Sequence, residues 1–189
     1  MIFDAAYAAM RDNGQHTVSI ADILAAAGIS TRSFYRHFES KDELLCAMYR
    51  RDAVKAAERL RRRVDRATNP AEAVHHWIDE IMTFGQSSAK AERVSVLGSI
   101  VVNRADGADE VARESRDMLL VPLREAIVAG VDAGIFVSPD PRSDAEMVAA
   151  VAFDAIGLAG PNRNHVLAPR ARAAVHAFCF RALGADSSV

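Results

Sequence analysis

The chain has 189 residues, half of them hydrophobic and a quarter charged, which indicates a globular protein and argues against a disordered or collagen-like chain. Its apolar stretches are too short for a membrane span or a secretory leader, and its two cysteines, Cys46 and Cys179, lie outside any metal-binding or redox spacing. We therefore expect a cytoplasmic protein without a metal or cofactor. The net charge is −2, but residues 1–63 carry 11 Lys and Arg against 8 Asp and Glu, so the first third is the part suited to a polyanion.

The chain opens with a helical pattern. Ile2, Phe3, Ala6 and Met10 recur at three- and four-residue steps, which predicts an amphipathic first helix. No later stretch alternates convincingly with period two, so we expect an all-α protein.

Residues 17–45 begin with the signature of a short helix. Ser19 and Asp22 have the spacing of a capping box, and Ile23 lies on the predicted inward face. Gly28 follows where a helix end needs a left-handed residue. These positions predict one short helix that ends at a glycine turn.

A second short helix and a longer one follow this turn. Ser30 is a predicted N-cap, and Phe34 and Phe38 are spaced to pack against the preceding helix. Ser40 with Glu43 caps the longer helix. Two short helices joined by a turn of three to four residues, with helices packed before and after, have helix-turn-helix geometry, in which the second helix enters the major groove of DNA.

The rest of the chain contains further helical patterns. The longer helix continues through an apolar row formed by Leu45, Met48, Ala53, Ala56, Ala57, Leu60 and Val64. Asn69-Pro70-Ala71-Glu72 then supplies an N-cap and a proline at the first helical position, and we place the domain boundary near it. Ser143-Asp144-Ala145-Glu146 repeats this capping signature, and an apolar row from Ala171 to Ala182 predicts the last helix.

The N-terminal segment resembles the TetR family of bacterial transcriptional regulators. The residues that carry the resemblance, in order, are Ser19, Ala27-Gly28, Ser30, Tyr35-Arg36-His37-Phe38 and Lys41. The later chain resembles the family in layout, with Pro122 interrupting a long helix, a helix end at Gly134-Ile135-Phe136 and two closing helices.

The resemblance implies an N-terminal three-helix helix-turn-helix domain and a C-terminal helical domain for ligand binding and dimerisation, with about nine helices in all. We expect the first domain at residues 1–50, the second at residues 67–189, and a long fourth helix over about 41–66 between them. It also implies a homodimer on a near-palindromic double-stranded DNA operator, acting as a repressor that a small, largely apolar effector releases. The same residues would suit an activator.

The predicted DNA-binding residues lie on or beside the second short helix. They are Ser19, Ser30, Thr31, Arg32, Ser33, Tyr35, Arg36, His37 and Lys41. Arg32 is the best candidate for a bidentate contact to guanine, whereas Ser19 and Lys41 suit phosphate oxygens. The alternative is that the serines are only caps and the cationic residues only a solvated face.

The resemblance also directs attention to two groups of residues in the second domain. For the effector pocket we predict Trp77, Ile81, Met82, Phe84, Asn103, Arg116, Met118, Phe153 and Asp154. For the dimer interface we predict Val151, Phe153, Gly157, Ala174, Val175 and Phe178. Ordinary core packing is the competing interpretation at each of these positions.

Two other classes of protein compete with a DNA-binding regulator. Glu72-x-x-His75 is half of a helical di-iron pattern, and His75/Asp79 and His76/Glu80 are spaced by four residues, but a second Glu-x-x-His motif is missing from the sequence. We therefore do not expect an enzyme. The other class is a helical interaction module that keeps the fold without sequence-specific DNA binding.

Overall fold

A computed structural model describes residues 2–13, 18–84, 107–156 and 169–185 of the chain. These residues form eight α-helices and no strand, so the predicted all-α class is confirmed. The helices are α1 (Ile2–Asn13), α2 (Ile20–Ala27), α3 (Thr31–Tyr35), α4 (Lys41–Val64), α5 (Pro70–Thr83), α6 (Ala108–Asp132), α7 (Pro141–Ala155) and α8 (Pro169–Ala182). Within these ranges, no helix combines the length and the apolarity that crossing a membrane requires.

The turn between α2 and α3 is built by local interactions. The Ser19 hydroxyl accepts from the Asp22 amide, and the Asp22 carboxylate accepts from the Ser19 amide, so the predicted capping box is present. Gly28 ends α2 with φ +63°, the left-handed conformation that glycine adopts at least cost. Ser30 then accepts from the Ser33 amide and caps α3. Together these interactions separate the two helices by three residues, as expected for a helix-turn-helix.

The helices around this turn share an N-terminal core. Its buried residues are Ala6, Ala9, Met10, Val18, Ile23, Phe34, Leu44, Leu45, Met48 and Ala108. Phe34 is 1% exposed, and its ring contacts Phe38, which in turn contacts Phe3 of α1. Tyr7 of α1 donates a hydrogen bond to Asp52 of α4 at 2.7 Å. Helix α3 is therefore held by one buried aromatic residue between α1 and α4.

A second core, the C-terminal core, surrounds α5. Its fully buried side chains are Leu60, Val74, Trp77, Ile78, Ile81, Met82, Leu120, Leu123, Ile127, Ala145, Ala149, Ala152 and Cys179. Helix α4 contributes to both cores, because Leu44 and Met48 near its start lie in the first and Leu60 and Val64 near its end lie in the second. The exact boundaries at residues 50 and 67 stay a prediction.

The predicted start of α7 is wrong by three residues. The helix begins at Pro141 rather than after Ser143, and its N-cap is Asp140. The Asp140 carboxylate accepts from the amides of Arg142 and Ser143, and proline suits the first helical position because it lacks an amide hydrogen. An aspartate followed by proline therefore takes the role that we assigned to Ser143.

Helices α5 and α8 meet along a row of polar and aromatic side chains. The His75 ring stacks on His176 at 4.6 Å and on Phe180 at 4.1 Å between centroids. Asp79, one turn after His75, accepts from Arg172 at 2.6 Å and contacts His176 Nε2 at 2.7 Å. Partial burial opposes the ionisation of Asp79, but the hydrogen bonds from Arg172 and His176 hold its pKa below its usual value.

Replacement of Gly28 tests the turn. Because φ at this position is +63°, a Gly28→Ala chain should lose about 1 kcal/mol of unfolding free energy, measured by urea denaturation. Gly28→Asn is the matched variant, since asparagine tolerates the left-handed conformation better, and it should lose less. Equal losses in the two variants would contradict the assigned conformation.

The α5–α8 contact should make stability depend on pH. Burial lowers the pKa of His75, and the nearby His176 lowers it further, against the opposing effect of Asp79. As the pH falls, His75 therefore binds a proton in the unfolded chain before it does so in the folded chain. This contribution to stability is present above the ordinary histidine pKa of about 6.5 and is lost as the pH falls below it.

The variant His75→Phe isolates this effect, because phenylalanine keeps a ring against Phe180 but does not titrate. Between pH 7.5 and pH 5.5, the unfolding free energy of the wild-type chain should fall by more than that of the variant. Parallel pH profiles would show that His75 does not titrate with the folding equilibrium.

Candidate functional site

Helix α3 presents a polar surface opposite its single buried residue. Thr31, Arg32, Tyr35 and Arg36 are exposed, whereas Phe34 is buried in the N-terminal core. Because Phe34 fixes the rotation of so short a helix, these neighbours must point outward. Burial of Phe34 thus fixes the helix to the core, and the opposite side exposes hydroxyl and guanidinium groups to solvent.

Several of these side chains lie next to one another on the surface. Ser30, Arg32, Ser33, Tyr35 and Arg36 line one open depression. The Tyr35 ring packs edge-on against Phe34, with 5.2 Å between centroids, and remains 53% exposed. In the part of the chain that the structure describes, neither Arg32 nor Arg36 has an ion-pair partner, so both guanidinium groups are available to a ligand.

One further polar residue, His37, follows the C-terminal end of α3. His37, two residues beyond the helix, is exposed, and its amide donates to the Phe34 carbonyl at 2.8 Å. This bond continues the turn past the end of α3. His37 is therefore a solvent-exposed residue directly after the turn that ends α3.

Ser19 and Lys41 are brought together although 22 positions separate them. The Lys41 ammonium donates to the Val18 carbonyl at 2.9 Å, directly before the N-cap of α2. The Ser19 hydroxyl also donates to the Asp22 carboxylate at 2.7 Å, and this bond holds the pKa of Asp22 below its usual value. An ammonium with two further N–H groups therefore lies beside the start of α2.

The predicted effector residues occupy different surroundings. Trp77, Ile81 and Met82 are fully buried, Phe84 and Met118 are half-buried, and Asp154 is exposed. Asn103 lies outside the described residues.

Three of these residues form a contiguous group. The Phe153 ring lies 6.0 Å from that of Trp77, and the Arg116 guanidinium lies 5.3 Å above Phe153. Arg116 also pairs with Glu146 at 3.3 Å. Sequence reasoning missed Glu146 as part of this group, since it was considered only as a capping residue.

The predicted dimer residues divide between the core and the surface. Ala174 is exposed and Phe178 is 51% exposed, whereas Phe153 and Val175 belong to the C-terminal core and Val151 is half-buried. Gly157 lies outside the described ranges.

Sequence reasoning did not select Met147 of α7, which is 68% exposed. The available signal was the helical spacing of the buried row Ala145, Val148, Ala149 and Ala152, which leaves Met147 outside the inward side of α7.

The residues considered for a metal site make other contacts. Glu72 accepts from the amide and the hydroxyl of Thr68, and its carboxylate lies 3.6 Å from His76 rather than on His75. His75 stacks on His176 instead. In the described portion of the chain, no three His, Cys, Asp or Glu side chains are grouped so that they could hold a metal ion.

The N-terminal segment matches a known protein family. Residues 2–48 match the sequence pattern of a family described as bacterial regulatory proteins, tetR family. This is a family of regulators and not of enzymes. No curated protein matches the chain.

Solved structures resemble the chain over nearly its whole length. The regulator FadR from Bacillus subtilis, in complex with stearoyl-CoA, has 16% identity and a TM-score of 0.78, covering 94% of this chain and 95% of its own. FadR from Bacillus halodurans has 18% identity and a TM-score of 0.78, covering 97% and 95%. A putative regulator from Saccharomonospora viridis, in complex with choline, has 19% identity and a TM-score of 0.76, covering 94% and 92%. At these identities the likeness concerns the fold, and it extends well beyond residues 2–48.

Proposed function

We propose that this chain is a regulator of the tetR kind, which represses transcription by binding a near-palindromic operator as a homodimer, and that a small effector releases it. The observation that carries the proposal is the exposed polar face of α3, held outward by the burial of Phe34. Among the described residues, neither Arg32 nor Arg36 has an ion-pair partner, so this face offers two guanidinium groups to a polyanion.

Base recognition falls to the outward side chains of α3. In the major groove, a guanidinium can donate two hydrogen bonds to O6 and N7 of one guanine, and Arg32 has the exposure that this contact needs. The Thr31 and Ser33 hydroxyls can donate or accept, so they tolerate more than one base. Arg36, on the same surface, and the exposed His37, which follows α3, are proposed to contact the walls of the groove.

Backbone contacts would fix how the domain sits on the duplex. Ser19 and Lys41 lie together at the N-terminal end of α2, where amide groups and the positive end of the helix dipole favour a phosphate. The Tyr35 hydroxyl, on a half-exposed ring, supplies another donor. These groups position α3 without reading the base sequence.

We propose a second copy of the chain as the partner of α7 and α8. Met147 and Phe178 expose large apolar side chains on these two helices, and the small exposed Ala174 would let the helices of two copies approach closely. In such a dimer the two copies of α3 would lie about one DNA turn, roughly 34 Å, apart. The N-terminal domain, residues 1–50, would then bind DNA, and residues 67–189 would dimerise and bind the effector.

The effector is proposed to contact the group formed by Trp77, Phe153 and Arg116. The aromatic rings favour a largely apolar ligand, and Arg116 can turn to a polar group because its contact with Glu146, at 3.3 Å, is long for a charged pair. Two of the similar structures were crystallised with stearoyl-CoA and with choline, respectively, which are chemically unlike. The fold therefore suits effectors of several classes.

Selection of bound sequences from a random DNA library, at about 150 mM salt, tests the function directly. A regulator should enrich a near-palindrome with half-sites one turn apart, bound roughly 10³-fold more tightly than random DNA. An interaction module that keeps the fold without reading DNA would enrich nothing.

Replacement of Arg32 tests the assignment of base contacts. Arg32→Ala should weaken binding to the selected operator by about 1–3 kcal/mol per half-site and relax the preference at one base position. Arg62→Ala is the matched control, since Arg62 is exposed near the far end of α4, and it should bind as the wild type does. Fluorescence anisotropy of labelled operator measures both. Equal affinities of the two variants would remove Arg32 from the interface.

Charge placed on the proposed dimer face tests the oligomeric state. Met147→Glu and Phe178→Glu should each convert a dimer at micromolar concentration into a monomer, because a carboxylate would be buried without a partner. Val54→Glu, on an exposed valine of α4, should leave the dimer intact. Sedimentation equilibrium gives the masses. A wild-type monomer, or dimers in all three variants, would show that the face does not hold the dimer together.

A further inference from the structure

We propose that α6 contains a hinge at Pro122. This hinge transmits ligand binding at the effector group, which consists of Trp77, Phe153 and Arg116, to the DNA-binding domain. The inference rests on the proposed function and concerns its regulation. It is drawn from how the two halves of α6, residues 108–121 and 123–132, are attached to the rest of the molecule.

The start of the first half of α6 is attached to the DNA-binding domain, whereas Leu120 near its end lies in the C-terminal core. Ala108, at its start, is 3% exposed and is part of the N-terminal core that also holds Phe34 of α3. Two turns later, Glu114 pairs with Arg50 of α4 at 3.3 Å. A displacement of this half would therefore also displace the helices that pack against α3.

The second half of α6 belongs to the C-terminal core. Leu123 and Ile127 are fully buried there. Gly130 lies so close to Phe136 that an added Cβ would come within 2.1 Å of the phenyl ring. This half is thus packed against α5 and α7 and moves with them.

Between the halves, the helix lacks one of its own hydrogen bonds. Pro122 has no amide hydrogen, so the Met118 carbonyl loses its partner within the helix, and the proline ring crowds the preceding turn. The next carbonyl along, that of Leu119, accepts an additional hydrogen bond from the Trp77 indole at 2.9 Å. A helix is easiest to bend where its own hydrogen bonds are missing, and here a residue of the effector group supports that turn.

Charged side chains join the halves across Pro122. Arg124, after the proline, contacts Asp117, before it, at 3.2 Å. Glu146 of α7 accepts from both Arg124 and Arg116, one on each side of the proline. One carboxylate therefore holds both halves at a fixed angle.

This arrangement explains how an effector could act at a distance. A ligand that contacts Trp77 and Phe153 would disturb the indole bond to Leu119, and one that draws Arg116 away would release one half from Glu146. Either change lets the first half of α6 tilt and carry Ala108 with it. Because coupling between two sites is reciprocal, DNA binding must also change the surroundings of Trp77.

Trp77 is the one tryptophan of the chain, so its fluorescence reports on the hinge directly. Titration with the selected operator should change the Trp77 emission, with the same midpoint as the anisotropy of labelled DNA. In Pro122→Ala, where the helix regains an amide donor, the amplitude should fall to less than half. Pro141→Ala, at the first position of α7, is the control and should keep the full amplitude. An unchanged emission at saturating operator, or full amplitude in Pro122→Ala, would overturn the proposal.

A second measurement needs no DNA and separates this inference from the proposed function. In hydrogen exchange of the free wild-type protein, residues 108–121 and 123–132 should open as two units with different protection, and in Pro122→Ala they should open as one. Equal protection of both halves in the wild type would overturn the hinge. If no operator is enriched and anisotropy shows no binding, the regulator proposal fails and this exchange experiment decides the hinge alone.

Discussion

The structure depends on one continuous helix that is buried in two different cores. Helix α4 has 24 residues and is about 36 Å long at about 1.5 Å per residue. Leu44 and Met48 fix its beginning among the helices that carry α3, and Leu60 and Val64 fix its end against α5. Because a helix packed at both ends resists bending, the position of α3 follows the position of the second core.

The polar groups that we assign to DNA are exposed because of interactions that they make within the chain. Burial of Phe34 turns Arg32 and Arg36 outward, and the bond from Lys41 to the Val18 carbonyl draws the starts of α2 and α4 together. A surface built in this way is ordered before any ligand arrives, which lowers the entropic cost of binding. The charges are not, by contrast, concentrated enough to identify the surface by net charge alone.

Helix α6 gives the second core another connection to the first. Its ion pairs with α4, Arg50 to Glu114 and Arg61 to Glu125, are 11 residues apart on both helices, so the two helices run in the same direction side by side. These pairs are exposed and contribute little to stability on their own. They do, however, fix the position of α6 along the axis of α4. In this position, Ala108 at the start of α6 reaches the N-terminal core.

The sequence by itself determined the helix-turn-helix, because its signals act over three or four residues: the caps at Ser19 and Ser30 and the left-handed Gly28 need no distant partner. Local reasoning was wrong at α7, where Asp140 followed by Pro141 outcompetes Ser143. Only the tertiary structure decided which side of each C-terminal helix is covered. It buried Val175 and exposed Phe178 and Met147, and it joined Trp77 to Leu119 and Arg116 to Glu146 across 42 and 30 positions. An amphipathic pattern gives the apolar side of a helix, but the contacts made there depend on helices far away in the chain, and their positions are set by the packing of the whole core.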